Sequence, residues 1–172
     1  GGKRSIWKQT QKKTSEGNKP KFTTMAIVGN NDGYVGVGRG KSKETVPARE
    51  KAIRAAKLSI IKLRRGCGSW EGVPGSNSIP FEAEGRCGSV RLKLMPAPSG
   101  TGLVAHKEVQ KILRFAGIKD IYSKTKGQTK TQINLVKACM EALRKLNSMK
   151  VKKDLINTVG LIEGKNDKNS NN

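Results

Sequence analysis

The sequence predicts an α+β protein built from two small two-layer domains. A β-hairpin pattern followed by a helical pattern fills the first third of the chain. A segment rich in Gly and Ser, residues 64–78, then breaks both periodicities, and beyond it the patterns resume in the order β-β-α-β-α. We therefore predict a first domain over 1–65, a junction over 66–78, a second domain over 79–150 and an extension over 151–172 that ends in a disordered polar tail.

The clearest element of the first domain is a hairpin around the turn Asn30-Asn31-Asp32-Gly33. A β-rich run over 22–28 leads into this turn and a second run over 34–38 leaves it, which is typical of two antiparallel strands. Residues 3–9 predict a third strand. The lysine-rich stretch 12–21 contains Gly and Pro, so it predicts a basic loop.

A helix is predicted after the hairpin, because Thr45 and Pro47 are typical of a helix start. Its apolar positions recur at helical spacing on one face and are Ala52, Ile53, Ala56, Ile60 and Leu63. A three-stranded antiparallel sheet backed by this helix would form a compact layer pair. The N-terminus of a helix attracts anions, so basic residues near that corner would favour phosphate binding.

The segment 36–42, GVGRGKS, contains Gly and Lys as nucleotide-binding loops do, but its spacing differs from theirs. A phosphate-binding P-loop needs Gly where Val35 stands, and a dinucleotide fingerprint needs Gly at Lys41. Glycines at every second position of a strand instead leave one face without side chains. This face suits the close approach of another backbone or of RNA.

The second domain begins with two strand patterns, over 79–84 and 89–95, around a turn at 86–88. The stretch 96–102, PAPSGTG, is compatible with an anion-binding nest or with a plain tight turn. A strand is predicted over 118–123.

Two helices are predicted in this domain. The first has Val109, Ile112, Leu113 and Ala116 on one face and ends at Gly117. The second begins after Thr131 and has a buried stripe of Val136, Cys139, Met140, Leu143 and Leu146.

The charge of the chain favours a polyanionic partner. The 172 residues include 35 Lys and Arg against 13 Asp and Glu, a formal net charge of +22. Residues 1–65 hold 17 basic and 4 acidic residues, net +13, whereas 66–172 hold 18 and 9, net +9. The sequence has no apolar run of about 18 residues, so it predicts no membrane partner and a cytoplasmic location. The first domain is the expected main RNA contact.

The residues that enzymes and metal sites use are sparse. Cys67, Cys87 and Cys139 form no C-x-x-C pair and His106 is the single histidine, so we predict no metal and no cofactor. Glu82 and Glu84 are the nearest pair of acids, and an ion-pair or solvent-facing role suits them better than catalysis. The sequence therefore predicts a protein that is not an enzyme.

Four motifs, in this order and spacing, resemble small-subunit ribosomal protein S5. They are GNNDGYVGVGRGKSKE (29–44), RRGCGSWE (64–71), GRCGSVRLKLMPAPSGTGLV (85–104) and AGIKDIYSKTKGQT (116–129). The resemblance covers nearly the whole chain, and the second and third motifs are similar to the archaeal branch of the family.

The resemblance implies a first domain like a double-stranded-RNA-binding domain and a second α/β domain with a left-handed crossover. It also implies a structural role in the small ribosomal subunit. The expected partners are rRNA, neighbouring small-subunit proteins and messenger RNA near the entry channel, with roles in subunit assembly and decoding accuracy. A free-standing double-stranded-RNA-binding module is the alternative, although it would explain only the first half of the chain.

We expect basic side chains of the first domain to contact phosphates and 2′-hydroxyls of folded RNA, reading shape rather than sequence. Those near the strand-to-helix corner are expected to converge on one site. The candidate RNA-binding residues are Lys12, Lys13, Lys19, Lys21, Arg39, Lys41, Lys43, Arg49, Lys51, Arg54, Arg64 and Arg65.

Overall fold

A computed structural model describes residues 2–67, 75–151 and 161–164. The chain divides by its contacts into two compact units. The first unit is Gly1–Gly29 with Gly36–Ile60, and the second is Asn30–Val35 with Ile61–Asn172. The turn around residues 30–33 and residues 61–65 thus belong to the second unit. The sequence predicted a first domain over 1–65. Part of the predicted junction, residues 68–74, lies outside the described residues.

The first unit is a sheet backed by one helix, which confirms the predicted architecture of its domain. Its elements are the strands β1 (Gly2–Thr14), β2 (Gly17–Gly29) and β3 (Tyr34–Ser42) and the helix α1 (Thr45–Leu58). The strands lie in the order β1-β2-β3, with β1 antiparallel to β2. The predicted loop over residues 12–21 is wrong, because β1 and β2 continue to a two-residue turn at Ser15 and Glu16. Both strands are polar on both faces there, so hydrophobic alternation gave no sign of them.

The turn over residues 30–33 forms as predicted, and its sequence explains its conformation. Asn31 and Gly33 have positive φ angles of 60° and 83°, which Asn and Gly adopt at low cost. The Asn30 side-chain oxygen accepts hydrogen bonds from the backbone N–H groups of Asp32 and Tyr34. The turn is therefore held by its own side chain.

The glycines of the segment 36–42 serve to bring a helix close to a strand. A Cβ atom at Gly36, Gly38 or Gly40 would come within 3 Å of backbone atoms of α1. The residues of α1 that face them, Ala48, Ala52 and Ala56, are fully buried. The structure thus supports the backbone-approach interpretation of this glycine pattern. Ile60, predicted to share the buried face, lies beyond the end of α1 and is 44% exposed.

The second unit begins with two short strands and then forms a sheet packed on helices. Its elements in chain order are β4 (Ile61–Lys62), β5 (Arg64–Arg65), β6 (Ala83–Cys87), β7 (Val90–Pro96), β8 (Leu103–Val104), α2 (Lys107–Ala116), β9 (Ile121–Lys126), α3 (Gln132–Ser148) and β10 (Ile162–Glu163). The main sheet has the order β6-β7-β9-β8, in which β8 and β9 are parallel and the other pairs antiparallel. The helix α2 connects the parallel pair.

Both predicted helices of this unit are present, and their predicted apolar faces are buried. Gly117 ends α2 in the left-handed conformation with φ 79°. The predicted strands are displaced along the sequence, because residues 79–82 lie outside β6 and β9 begins at Ile121. In β7, Val90, Leu92 and Leu94 are completely buried while alternate residues point away from α3.

The stretch 96–102 forms a turn whose backbone N–H group at Gly102 is bound by a carboxylate of the same chain. The backbone N–H of Gly102 donates to the carboxylate of Asp120 at 2.7 Å, and the side-chain amide of Asn77 donates to the same carboxylate at 2.9 Å. Asp120 is 5% exposed. Strand β8 then separates the turn from α2, so this arrangement favours the tight-turn interpretation over an anion nest.

Part of the predicted extension over 151–172 pairs with the rest of the second unit. Ile162 and Glu163 form β10, which pairs antiparallel with β5. The backbone N–H of Gly164 donates to the carbonyl of Leu63 at 2.9 Å. The predicted disordered polar run at the end of the chain, 165–172, lies outside the described residues.

Candidate nucleic-acid interface

The sheet of the first unit has one face toward α1. Its opposite face is buried at Met25, Ile27 and Val35 and becomes exposed toward the turn between β1 and β2. On β2, the Thr24 hydroxyl donates to the carbonyl of Ala48, and Ala26 packs against the helix, so even-numbered residues face α1. Side chains alternate along a strand, so the odd-numbered Lys19 and Lys21 lie on the opposite face.

The pairing of β1 with β2 extends this face across the hairpin. Lys12 lies opposite Lys19, Thr10 opposite Lys21 and Lys8 opposite Thr23. Directly opposed residues share a face of the sheet. Lys8 and Lys12 therefore lie on the same open face as the two lysines of β2.

Strand β3 adds one arginine and one lysine to this face of the sheet. Gly36, Gly38 and Gly40 face α1, so Arg39 and Lys41 point the other way. We call the resulting set the first open face, and all six of its members are exposed: Lys8, Lys12, Lys19, Lys21, Arg39 and Lys41. Near the turn, the ammonium of Lys19 pairs with the carboxylate of Glu16 at 3.0 Å.

The predicted convergence of six basic residues at one strand-to-helix corner is wrong. Arg39 and Lys41 lie on the open side of the sheet, whereas Arg49, Lys51 and Arg54 lie on α1, which covers the other side. At 100° per residue, Arg54 points away from the buried alanines, and the other two lie on opposite flanks of the helix. Sequence proximity had suggested a cluster that the helix–sheet layering separates.

Two other candidates occupy positions apart from the first open face. Lys43 follows the end of β3, in the connection to α1, and is exposed. Lys13 lies opposite Asn18, on the face of the hairpin that α1 covers further along. Both remain candidates for RNA contact by their exposure alone.

Arg64 and Arg65 make contacts inside the second unit, which argues against their predicted role. Arg65 is 4% exposed, and its guanidinium contacts the carboxylate of Asp32 and the carbonyl of Gly164. The half-buried Arg64 contacts the carboxylate of Glu163 and the carbonyl of Met149. These contacts form because β5, which contains both arginines, pairs with β10. Nothing in the sequence pattern indicated that pairing.

Lys8 is the residue of the first open face that sequence reasoning missed. Its place on this face follows from its pairing with Thr23 across the hairpin. No alternation of apolar and polar residues marks that pairing in the sequence.

The residues that could have served catalysis have structural contacts. The His106 ring nitrogen accepts a hydrogen bond from the N–H of Glu108 and so caps α2. The carboxylate of Glu82 pairs with the ammonium of Lys93. Among the described residues, no group of three or more His, Cys, Asp and Glu side chains could hold a metal ion. No described helix is both long and apolar enough to cross a membrane.

Comparison with known proteins decides the family. The N-terminal domain of ribosomal protein S5 matches residues 6–64, and the C-terminal domain of ribosomal protein S5 matches residues 85–155. The chain belongs to the ribosomal protein S5 family. Both halves of the S5 pattern are thus present, in the order that the four sequence motifs indicated.

Curated relatives agree with this membership. The chain is 52% identical to the small ribosomal subunit protein uS5 of Nanoarchaeum equitans over 159 residues, which cover 92% of this chain and 69% of the relative. It is 44% identical to that of Methanocaldococcus jannaschii, with 92% and 73% covered. For Thermofilum pendens the identity is 52%, with 78% and 67% covered. These S5 relatives are archaeal, as the motifs at 64–71 and 85–104 suggested.

Proposed function

We propose that the first open face is the surface with which this S5-family protein holds rRNA in the small ribosomal subunit. Membership of the family makes the chain a structural protein of that subunit, found in the cytoplasm as part of the ribosome, and not an enzyme. The observation that carries the proposal is the placement of six exposed basic residues on one face of the strands β1, β2 and β3.

This arrangement can neutralise several phosphates at once. Lys12 and Lys19 are directly opposed across the hairpin, although like charges in this position destabilise a sheet. A bound polyanion removes that repulsion. Each phosphate neutralised releases counterions, so binding should weaken steeply as salt is raised. Contacts of this kind recognise the shape of a folded RNA rather than its base sequence.

A free-standing double-stranded-RNA-binding module remains the weaker candidate. It would account for the match over residues 6–64 alone, whereas the second unit carries its own family match over 85–155. We infer that both units act in one ribosomal protein, with rRNA and neighbouring ribosomal proteins as partners.

The family resemblance supports finer roles, which we propose on that ground. These are contact with messenger RNA near the entry channel, support of subunit assembly and an effect on decoding accuracy. Crosslinking of messenger RNA in reconstituted subunits to a photoreactive side chain at Lys41 tests the first of them. Absence of any messenger crosslink, with rRNA crosslinks retained, would remove this role.

The main test uses two triple variants of the full chain with equal charge change. One replaces Lys21, Arg39 and Lys41 of the first open face with Gln. The matched control replaces Lys51, Arg54 and Lys57 on α1, which are also two lysines and one arginine and are also exposed. Affinity for a transcript of archaeal small-subunit rRNA is measured at several salt concentrations.

We expect the sheet variant to bind at least about tenfold more weakly and its log K against log salt slope to be shallower by about 2 to 3, because three phosphate contacts are lost. The helix variant should stay within about twofold. Equal losses would mean that net charge alone drives binding, and a larger loss from the helix variant would place the contact on α1 instead.

A further inference from the structure

The second unit also has an uncovered sheet face, and its charge is concentrated there. Helix α3 packs on one side of the sheet, where Gly85, Leu92 and Leu94 are buried. The alternate residues of β6, β7 and β9 point to the other side. We call this set the second open face: Glu84, Arg86, Arg91, Lys93, Lys124 and Lys126.

The strand register places these side chains in two rows across the sheet. Arg86 lies opposite Arg91, and Arg91 lies opposite Lys126, so one row consists of three cations. Like charges directly opposite each other are destabilising. A row of this kind lowers the stability of the free sheet, so a stabilising role in the folded chain does not account for it.

The second row is partly compensated. Glu84 lies opposite Lys93, and Lys93 lies opposite Lys124. The carboxylate of Glu82 also pairs with Lys93. Among the residues that the structure describes, no carboxylate forms an ion pair with the cations of the first row or with Lys124.

These side chains surround a shallow polar depression of about 270 Å³, lined by Glu84, Arg91, Lys93, Lys124 and Lys126. A concave site where several ammonium and guanidinium groups converge suits a phosphate, which can accept several charge-assisted hydrogen bonds. At one end of the face the ring of Tyr122, 40% exposed, lies opposite Met95. An exposed aromatic ring beside cations can stack on a nucleotide base.

We propose that the second open face is a further RNA-binding surface, which takes a phosphate backbone in the depression and a base beside Tyr122. The proposal rests on the proposed ribosomal function and adds a second contact to it. It also revises the expectation that RNA affinity resides mainly in the more basic first half. The net charge of +9 over 66–172 is lower, but the register concentrates five basic residues on one face.

An acidic protein is the competing partner, and the composition of the face argues against it. The centres of protein–protein interfaces are depleted in charged residues, whereas nucleic-acid interfaces are polar and strongly positive. Here the centre of the face consists of charged residues, and the apolar groups Tyr122 and Val104 lie at its edge.

The test compares two triple variants within the second unit of the full chain. One replaces Arg91, Lys124 and Lys126 with Gln and keeps the compensated Lys93. The control replaces Lys130, Lys137 and Arg144, which are also two lysines and one arginine, are exposed, and lie outside this sheet. Urea unfolding first shows that both variants are folded, and a transcript of archaeal small-subunit rRNA is the probe.

The sheet-face variant should bind roughly tenfold more weakly, with a log–log salt slope shallower by about 2 to 3, while the control stays within about twofold. As a second readout, a photoreactive residue in place of Tyr122 should crosslink to the transcript. Equal losses from the two variants, or wild-type affinity in the sheet-face variant, would overturn the inference.

Failure of this inference can be told apart from failure of the proposed function. If the first-open-face variant is weakened and this one is not, the second surface is refuted and the first stands. If neither variant is weakened, both fail. Loss of binding to a neighbouring small-subunit protein, with RNA affinity intact, would assign the second open face to a protein partner and refute the RNA proposal.

Discussion

The two units place a helix on a sheet in different ways. In the first unit, α1 approaches β3 so closely that Gly36, Gly38 and Gly40 have no room for a Cβ atom. In the second unit a helix approaches a strand as closely at Gly85, where a Cβ atom would clash with the backbone of α3. The rest of the second core is filled by branched aliphatic side chains that are fully buried, among them Leu92, Leu94, Ile112, Leu113 and Leu143.

The contact of α1 with β3 depends on the absence of side chains, whereas the core of the second unit depends on large apolar side chains that fill it. Small residues on both partners let two backbones meet, but each buries little apolar surface. Fully burying a Leu or Ile side chain contributes about 1.5–3 kcal/mol, so the second unit has more apolar surface to hold it together. Added atoms should therefore disrupt the first contact most, and polar or charged groups the second.

The strongest test of this comparison adds one methyl group to the first contact. In Gly38→Ala the new Cβ would lie within 3 Å of backbone atoms of Ala52 and Ala56, so α1 must move away from the sheet. We expect a loss of about 2–3 kcal/mol in the free energy of unfolding, measured by urea denaturation.

Gly100→Ala is the control for that substitution. Gly100 has φ 90° and no atom within 4 Å of a Cβ, so alanine there meets backbone strain without a clash. This strain costs about 1–2 kcal/mol. If the two variants lose equal stability, close backbone packing is not what makes Gly38 necessary.

A second test separates a structural arginine from an interface arginine. Arg65→Gln should lower the free energy of unfolding by about 2 kcal/mol, because the buried guanidinium loses its charge-assisted contacts with Asp32 and Gly164. Once folded, this variant should bind rRNA as well as the wild type. Arg39→Gln should show the reverse pattern, weaker RNA binding at unchanged stability, since Arg39 is exposed.

Either of two results would contradict this assignment. Weaker RNA binding by folded Arg65→Gln would return Arg65 to the RNA-contacting set. A stability loss in Arg39→Gln as large as that in Arg65→Gln would mean that burial does not distinguish the two arginines.

Much of the fold was readable from the sequence, because local signals and tertiary packing agree. The turn over 30–33, the helices α1, α2 and α3 and the alternation in β7 follow from residue spacing. The long β1–β2 hairpin was not readable, since polar residues on both of its faces leave no period of two. Nor was β10, a two-residue strand whose pairing with β5 depends on contacts distant in the chain.

The sequence predicted most of the basic residues that belong to the candidate site, but not which face of the sheet each of them occupies. Five of the six residues of the first open face were chosen from sequence for their charge. Which side of the sheet each occupies depends on register and on where α1 packs, and a one-residue change in either would reverse the face. For the same reason the sequence did not indicate the second open face, whose residues come from three separate strands.

The smallest expected change in the free energy of unfolding depends on pH and concerns the core of the second unit. Cys139 lies on α3 and is completely buried. Burial raises the pKa of its thiol from an ordinary value of 9.0 to about 12, because the thiolate would lose its hydration in the apolar core. The thiol keeps its proton in the folded chain at pH values where it loses it in the unfolded chain.

The contribution of this thiol to stability is complete below pH 9 and is lost as the pH rises from about 9 towards 12, since the unfolded state then releases a proton that the folded state retains. At pH 10 the loss should be on the order of 1 kcal/mol. Cys139→Ala has no thiol to titrate, so its unfolding free energy should fall less between pH 8 and pH 10 than that of the wild type. The comparison within one pair cancels the titration of lysines, which both proteins share. Parallel curves for the two proteins would show that the thiol reaches solvent, and that the second core is looser around α3 than its packed side chains indicate.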